Sequence, residues 1–186
     1  MKNKHGVFLV LMIFTLIAAV GGCAKKNVPP PPGYGGPGQE YGQGAPIGPG
    51  MDEAKWRELG INSEAEKREF LDKAKGFENQ DVYFDYDAYT LTEPAKRVLD
   101  EKTAFLKRFP RVQVTVEGHC DERGTTEYNL ALGERRAHAA QEYIESSGLS
   151  NLKITTVSYG KERPVATGHD EASWAKNRRA HFVLNY

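Results

Sequence analysis

The sequence predicts an α/β protein: an α+β two-layer sandwich whose elements run βαβαββ, with helices on one face of a mixed four-stranded sheet. Two observations carry this. Val112, Val114 and Val116 alternate with Gln113, Thr115 and Glu117, the period of a strand with one buried face, and the apolar pattern from Tyr128 through Leu132, Ala139 and Tyr143 then switches to helical period. At the far end Ala180, Phe182, Leu184 and Tyr186 alternate again. Residues 80–186, which contain these patterns, number about a hundred, enough to bury one core.

In chain order, residues 1–22 carry Lys2 and Lys4, an apolar run from Val7 to Val20, and small residues up to Cys23. The run is shorter than the roughly 20 residues a membrane-spanning helix needs, so it reads as a secretory signal. Val20-Gly21-Gly22-Cys23 resembles a bacterial lipobox, which makes Cys23 the expected lipidated N-terminus of the mature chain. Several acyl chains hold a protein on a membrane far more firmly than one does. Ala24 in place of Asp after that cysteine is consistent, by resemblance to lipoprotein sorting signals, with the outer membrane. Residues 23–50, rich in Pro, Gly, Gln and Tyr and including PPPPGYGGPG, form a tether. Its reach runs from roughly 30 Å as a flexible coil to about 80 Å as extended polyproline. Residues 51–79 are charged helix formers with Trp56, Leu59, Phe70, Leu71 and Phe77, expected as one or two short helices interrupted at Gly60 to Ser63. The pattern leaves open whether they pack on the domain.

The domain proper is expected over 80–186. Val82 to Phe84 is a short strand and Asp85 to Thr90 a tyrosine-bearing loop. Thr92 caps a helix with Pro94 in its first turn, whose core face is Ala95, Val98, Leu99, Phe105, Leu106 and Phe109, and Pro110 follows its end. Gly118 and Gly124 read as punctuation of the turn between the valine strand and the next helix, which Thr125 caps and which stops near Gly148. Ile154 to Tyr159 is a third strand, Ala172 to Asn177 a helical turn, and Ala180 to Tyr186 the last strand.

The strand-to-helix junction concentrates Asp121, Glu122, Arg123, Asn129, Arg135 and Arg136, and such junctions are where α/β sheets build sites. Asn129, Gly133 and Arg136 share one helix face. Side chains lean toward a helix N-terminus, so Arg136 is expected to reach toward Asp121 across a gap opened by Gly133, over roughly 10 Å of axis. A carboxylate and a guanidinium facing one notch suit a small zwitterion, the first taking its ammonium and the second its carboxylate. An Asp–Arg pair that merely pins the loop fits the same spacing.

The stretch GHCDERGTTEYNLALGERRA, with YFDYD at 83–87, VSYGKERP at 157–164 and GHDEASWAKNRRA at 168–180, resembles the outer-membrane-protein-A-like family of peptidoglycan-binding domains, in its lipoprotein branch. The likeness covers roughly residues 80 to 186. Cys120 departs from it, standing where the family usually has alanine or threonine; in phase with the buried valines, it reads as a small buried thiol. The resemblance implies noncovalent recognition of the meso-diaminopimelate stem peptide of peptidoglycan by Asp121, Arg136, Asn129 and Arg178. Arg123, Leu132 and the loop Asp85, Tyr86 and Asp87 are implied as pocket residues of the lipoprotein branch. It also implies the Tol system, notably its periplasmic propeller protein, as a partner, with roles in envelope integrity and cell division.

Other classes find less support. Charge is balanced, with 25 basic and 25 acidic residues, which gives no electrostatic case for nucleic acid. His119 and Asp121, at i and i+2, have a spacing seen in metal sites of hydrolases, and His138 and His169 could be further ligands, but neither of these falls in a motif with recognisable ligand spacing. A lone histidine beside a turn is expected to hydrogen-bond. No GxSxG is present. The expectation is therefore a binding protein without enzymatic activity, cofactor or metal; a scaffold lipoprotein that never touches the wall is the alternative. Lipidation of Cys23 would leave Cys120 without a partner, so no disulfide is expected.

Overall fold

Side-chain alternation decides the architecture. In the computed structural model, which describes residues 51–185, Val114 and Val116 of β2 (Gln113–His119) and Ala180, Phe182 and Leu184 of β4 (Arg179–Asn185) enter one buried layer. With β1 (Val82–Tyr83) and β3 (Ile154–Gly160) they form a four-stranded sheet in the order β1-β4-β2-β3. β2 and β3 run parallel, Val114 opposite Ile154, while β4 is antiparallel to both β1 and β2, Val116 lying opposite Phe182. The sheet is mixed, and its parallel pair needs a crossover, supplied by helix α4 (Thr126–Ile144).

Local chemistry sets the helix boundaries. The Thr92 side chain accepts from Ala95 N to start α3 (Glu93–Arg108), which carries Pro94 in its first turn and ends ahead of Pro110. Thr125 accepts from Tyr128 N to start α4, and the chain leaves that helix through a π-type turn, Glu145–Leu149, where Gly148 takes a φ of 95°. Asp170 caps the short α5 (Glu171–Asn177).

The helices that precede this unit are part of its core. α1 (Glu53–Glu58) and α2 (Glu64–Asn79), the latter opened by a reciprocal Ser63–Glu66 capping box, bury Trp56, Phe70, Ala74 and Phe77. Phe77 lies 4.9 Å from Phe105 and 6.0 Å from Phe182, and Phe70 lies 5.1 Å from Phe109, ring centre to ring centre. Lys102, fully buried on α3, donates to the Phe77 carbonyl near the end of α2 and sits 4.3 Å from both the Phe77 and Phe182 rings. Glu78 accepts from Leu184 N at 2.9 Å. The apolar residues of 51–79 therefore cover α3 and β4.

Gly118 departs from its expected role. β2 continues past Val116 to His119, so Gly118 lies inside the strand. A Cβ there would stand 1.9 Å from the Gly133 carbonyl oxygen, and one on Gly133 would stand 2.3 Å from Ser158 Oγ. The two glycines let α4 rest main chain against main chain on β2 and against the Ser158 side chain of β3. Gly133 thus faces the sheet and opens no gap for Arg136. The signal at 1–22, the Cys23 anchor, the tether and Tyr186 lie outside the described residues. Among the described residues no helix is long and apolar enough to cross a membrane, and Cys120 is a free, buried thiol.

Candidate functional site

The loop after β2, the first turns of α4 and the loop after β1 enclose a depression of about 110 Å³. Asp121, Arg123, Asn129, Leu132 and Arg136 line it from one side, and Tyr86 and Asp87 from the other. Asp121 and Arg136 therefore share one concavity, although they do not bond to each other. Arg178 sits behind Asp121, and Asp85 enters through its main-chain carbonyl while its side chain faces solvent.

Arg136 has no exposed surface. Its Nε donates to Ala88 O at 2.8 Å, Nη1 to His119 O at 2.8 Å and Nη2 to Asp85 O at 3.2 Å. The expected reach toward Asp121 gives way to these carbonyls because the loop after β1 folds over the helix face and presents them closer. Two of the five guanidinium N–H groups remain available. Among the described residues no carboxylate lies within ion-pair distance of Arg136, and burial pushes its pKa below the usual arginine value. Its direct partners are neutral carbonyls and, 5.3 Å away, the Phe84 ring, while Asp121 and Asp87 act on its charge only from across the depression, so no carboxylate compensates it at contact.

Asp121, 5% exposed, is by contrast nearly saturated. Its Oδ1 accepts from Arg123 N and Nε, both at 3.1 Å, and its Oδ2 from Arg123 Nη2 at 2.7 Å and Arg178 Nη1 at 3.4 Å. Burial works to raise the Asp121 pKa, but the bonds and charge of Arg123, with Arg178 behind, outweigh it and hold the carboxyl below its usual value. The Arg123 guanidinium is stacked between Tyr86 at 4.0 Å and Trp174 at 4.1 Å. Arg178 is itself fixed by Phe84 O at 3.1 Å and Glu171 at 2.6 Å. Asn129, almost fully buried, donates to Arg123 O at 2.8 Å and Thr125 O at 3.1 Å, so it shapes the Asp121 loop. Leu132 supplies the apolar floor.

Residues outside the expected set complete the frame. Tyr128 donates through its hydroxyl to Asp87, which holds a φ of 53°. Glu122 accepts from His169 at 2.8 Å and Trp174 Nε1 at 2.9 Å, tying the loop before α5 to the site. Tyr128 could have been found as the third residue of a capped helix, whose side chain points back over the N-terminus; nothing in the sequence marks Trp174. Cys120 Sγ donates to Asn129 O at 3.3 Å, and burial pushes its thiol up to about 11. His119 corrects an expectation: its ring nitrogens make no hydrogen bond, Nε2 standing 3.6 Å from Glu117 Oε2, it stacks on Tyr159 at 5.5 Å, and burial lowers its pKa against the pull of Glu117. Among the described residues no group of three or more His, Cys, Asp or Glu could hold a metal ion; His138 and His169 pair with Glu134 and Glu122 on separate surfaces.

The model of the OmpA family matches residues 83–178, from β1 to the end of α5, and the chain belongs to that family. Among its relatives, the peptidoglycan-associated lipoprotein of Pseudomonas aeruginosa is 43% identical over 95% of each chain. That of Pasteurella multocida is 50% identical over 56% of this chain and 69% of its own. The crystal structure of the peptidoglycan-associated lipoprotein from Burkholderia pseudomallei superposes with a TM-score of 0.55 at 45% identity, over 57% of this chain and 90% of that one. The C-terminal domain of Helicobacter pylori MotB, 17% identical over 57% of this chain and 84% of its own with a TM-score of 0.54, shares the fold. Helices α1 and α2 precede the range that the family model matches.

Proposed function

We propose that the chain is an outer-membrane lipoprotein, anchored through Cys23 and facing the periplasm, that binds the meso-diaminopimelate stem peptide of peptidoglycan noncovalently and so links membrane to wall. The observation that carries this reading is the buried guanidinium of Arg136, uncompensated at contact, beside an open depression. Such a group is a ready receptor for a carboxylate, whose charge would be its first close counter-ion. Diaminopimelate supplies that carboxylate with an ammonium on the same carbon. The ammonium has two acceptors. Asp121 becomes available when Arg123, 30% exposed at its side chain, gives way; Asp87 stands on the opposite lip.

The name that the relatives carry describes association with peptidoglycan and no reaction, and the chain is read as a binding protein, not an enzyme. Engagement of the Tol system and its propeller protein, with the attendant roles in envelope integrity and division, rests on the family resemblance alone. Cosedimentation of the full chain with purified sacculi tests the reading. Wild type pellets, whereas Arg136→Ala and Asp121→Ala stay in the supernatant with native circular dichroism. Unchanged pelleting of folded Arg136→Ala would reject the pocket.

A further inference from the structure

Among the described residues the large hydrophobic side chains left exposed are Tyr83, Tyr86, Tyr89, Tyr128 and Val165; two of the five line the Arg136 depression and a third, Tyr89, flanks it in the chain. Tyr86 and Tyr128 line it, and Tyr89 follows Ala88, whose carbonyl Arg136 holds. A soluble domain gains no core stability from aromatic faces kept in water, so their concentration at one mouth marks a contact surface.

The lip is also built rigid. Arg136 donates to Asp85 O and Ala88 O and so brackets the turn between them, which Ala88 N closes onto Asp85 O at 3.3 Å. Asp87 within that turn is the one non-glycine residue of positive φ among those described, and the Tyr128 hydroxyl holds its carboxylate. Strain maintained from two sides points to a shape required for contact. Arg135 lies 5.5 Å from the Tyr89 ring, which extends the lip with a hydrogen-bond donor.

We propose that Tyr86, Tyr89 and Tyr128 form a subsite for a pyranose ring of the glycan strand that bears the stem peptide. This rests on the reading of the depression as a stem-peptide site. A pyranose offers an apolar face of C–H bonds to stack on an aromatic ring, with hydroxyl and amide groups at its edge for tyrosine hydroxyls and charged neighbours. The lip has that mixture: rings separated by Asp87 and Arg135, with no exposed large aliphatic side chain among them.

The test compares two soluble ligands by calorimetry on the full-length protein in detergent: the stem tripeptide ending in meso-diaminopimelate, and the same tripeptide on its disaccharide. Wild type is expected to bind the disaccharide form about tenfold more tightly. Tyr89→Ala, which lies outside the depression, loses about fivefold of that preference while its tripeptide affinity stays within about twofold, and Tyr89→Phe restores the preference because the ring face remains. Equal wild-type affinity for the two ligands would overturn the subsite while leaving the stem-peptide site standing. An undiminished sugar preference in Tyr89→Ala would likewise overturn it, placing the sugar contact elsewhere on the protein. A wild type that binds neither ligand would sink both readings.

Discussion

Removing one charge from the ligand, with the protein untouched, gives the cleanest estimate of what Arg136 does. Amidating the diaminopimelate carboxylate replaces an anion by a neutral group of nearly the same size, so the loop staples from Arg136 to Ala88, His119 and Asp85 persist. Arg136 has no ion pair of its own among the described residues. The ligand's carboxylate therefore displaces no direct ion pair, although Asp121 and Asp87 act on Arg136 from the same depression. A hydrogen bond to a charged group contributes about 1.5–3 kcal/mol. That interval corresponds to a loss of about 10- to 150-fold in affinity, since each 1.4 kcal/mol is tenfold. Competition against sacculi pelleting, with free and amidated tripeptide in parallel, reads this ratio directly. A ratio near one would refute the inference that the buried guanidinium receives the ligand's carboxylate.

Other consequences are checked on the protein itself. Lys102 has its pKa pushed from 10.5 down to about 7 by burial, against the pull of Asp81, Glu78 and Glu101. Between those values the unfolded chain binds the proton that the folded chain has shed, so stability should rise with pH across that window, by at most about 5 kcal/mol. The Phe77 carbonyl and the two flanking rings favour the charged form and reduce this figure. Urea melts at pH 7 and pH 10 should show the rise in wild type and its loss in Lys102→Met; identical pH dependence would contradict the assignment. Gly118→Ala forces a Cβ to within 1.9 Å of the Gly133 carbonyl oxygen and should destabilise by about 3 kcal/mol or prevent folding. An unchanged denaturation midpoint would count against the close approach of α4. Cys23→Ser should move the protein from the membrane to the soluble fraction on cell fractionation, and continued membrane association would contradict the lipid anchor.

The site was legible in outline because its framework is local. A change of period from 2 to 3.6 between Val116 and Tyr128 locates the strand-to-helix junction, and of the charged and polar residues clustered there Asp121, Arg123, Asn129 and Arg136 line a depression, while Glu122 and Arg135 do not. What was hidden is nonlocal. The acceptors of Arg136 lie on the loop after β1 and at the end of β2, and backbone carbonyls leave no mark in a sequence. Gly118 looks like any turn glycine until the Gly133 carbonyl is placed against it. Lys102 looks like a solvated helix position, since its burial depends on α2 folding back over α3. The Arg123–Asp121 bond is the exception: two residues apart, it was within reach of sequence reasoning and was overlooked in favour of the longer Asp121–Arg136 relation.

The most direct test follows the two arginines while ligand is added. Nitrogen-15 spectra of the guanidinium Nε–H groups, assigned through Arg136→Lys and Arg123→Lys, would be recorded as meso-diaminopimelate tripeptide is titrated in. The account predicts that the Arg136 resonance shifts to saturation with the ligand. The Arg123 resonance should lose the signature of its bond to Asp121 over the same concentrations if the ammonium takes that carboxylate. Saturable binding that leaves the Arg136 resonance in place would contradict the account at its centre.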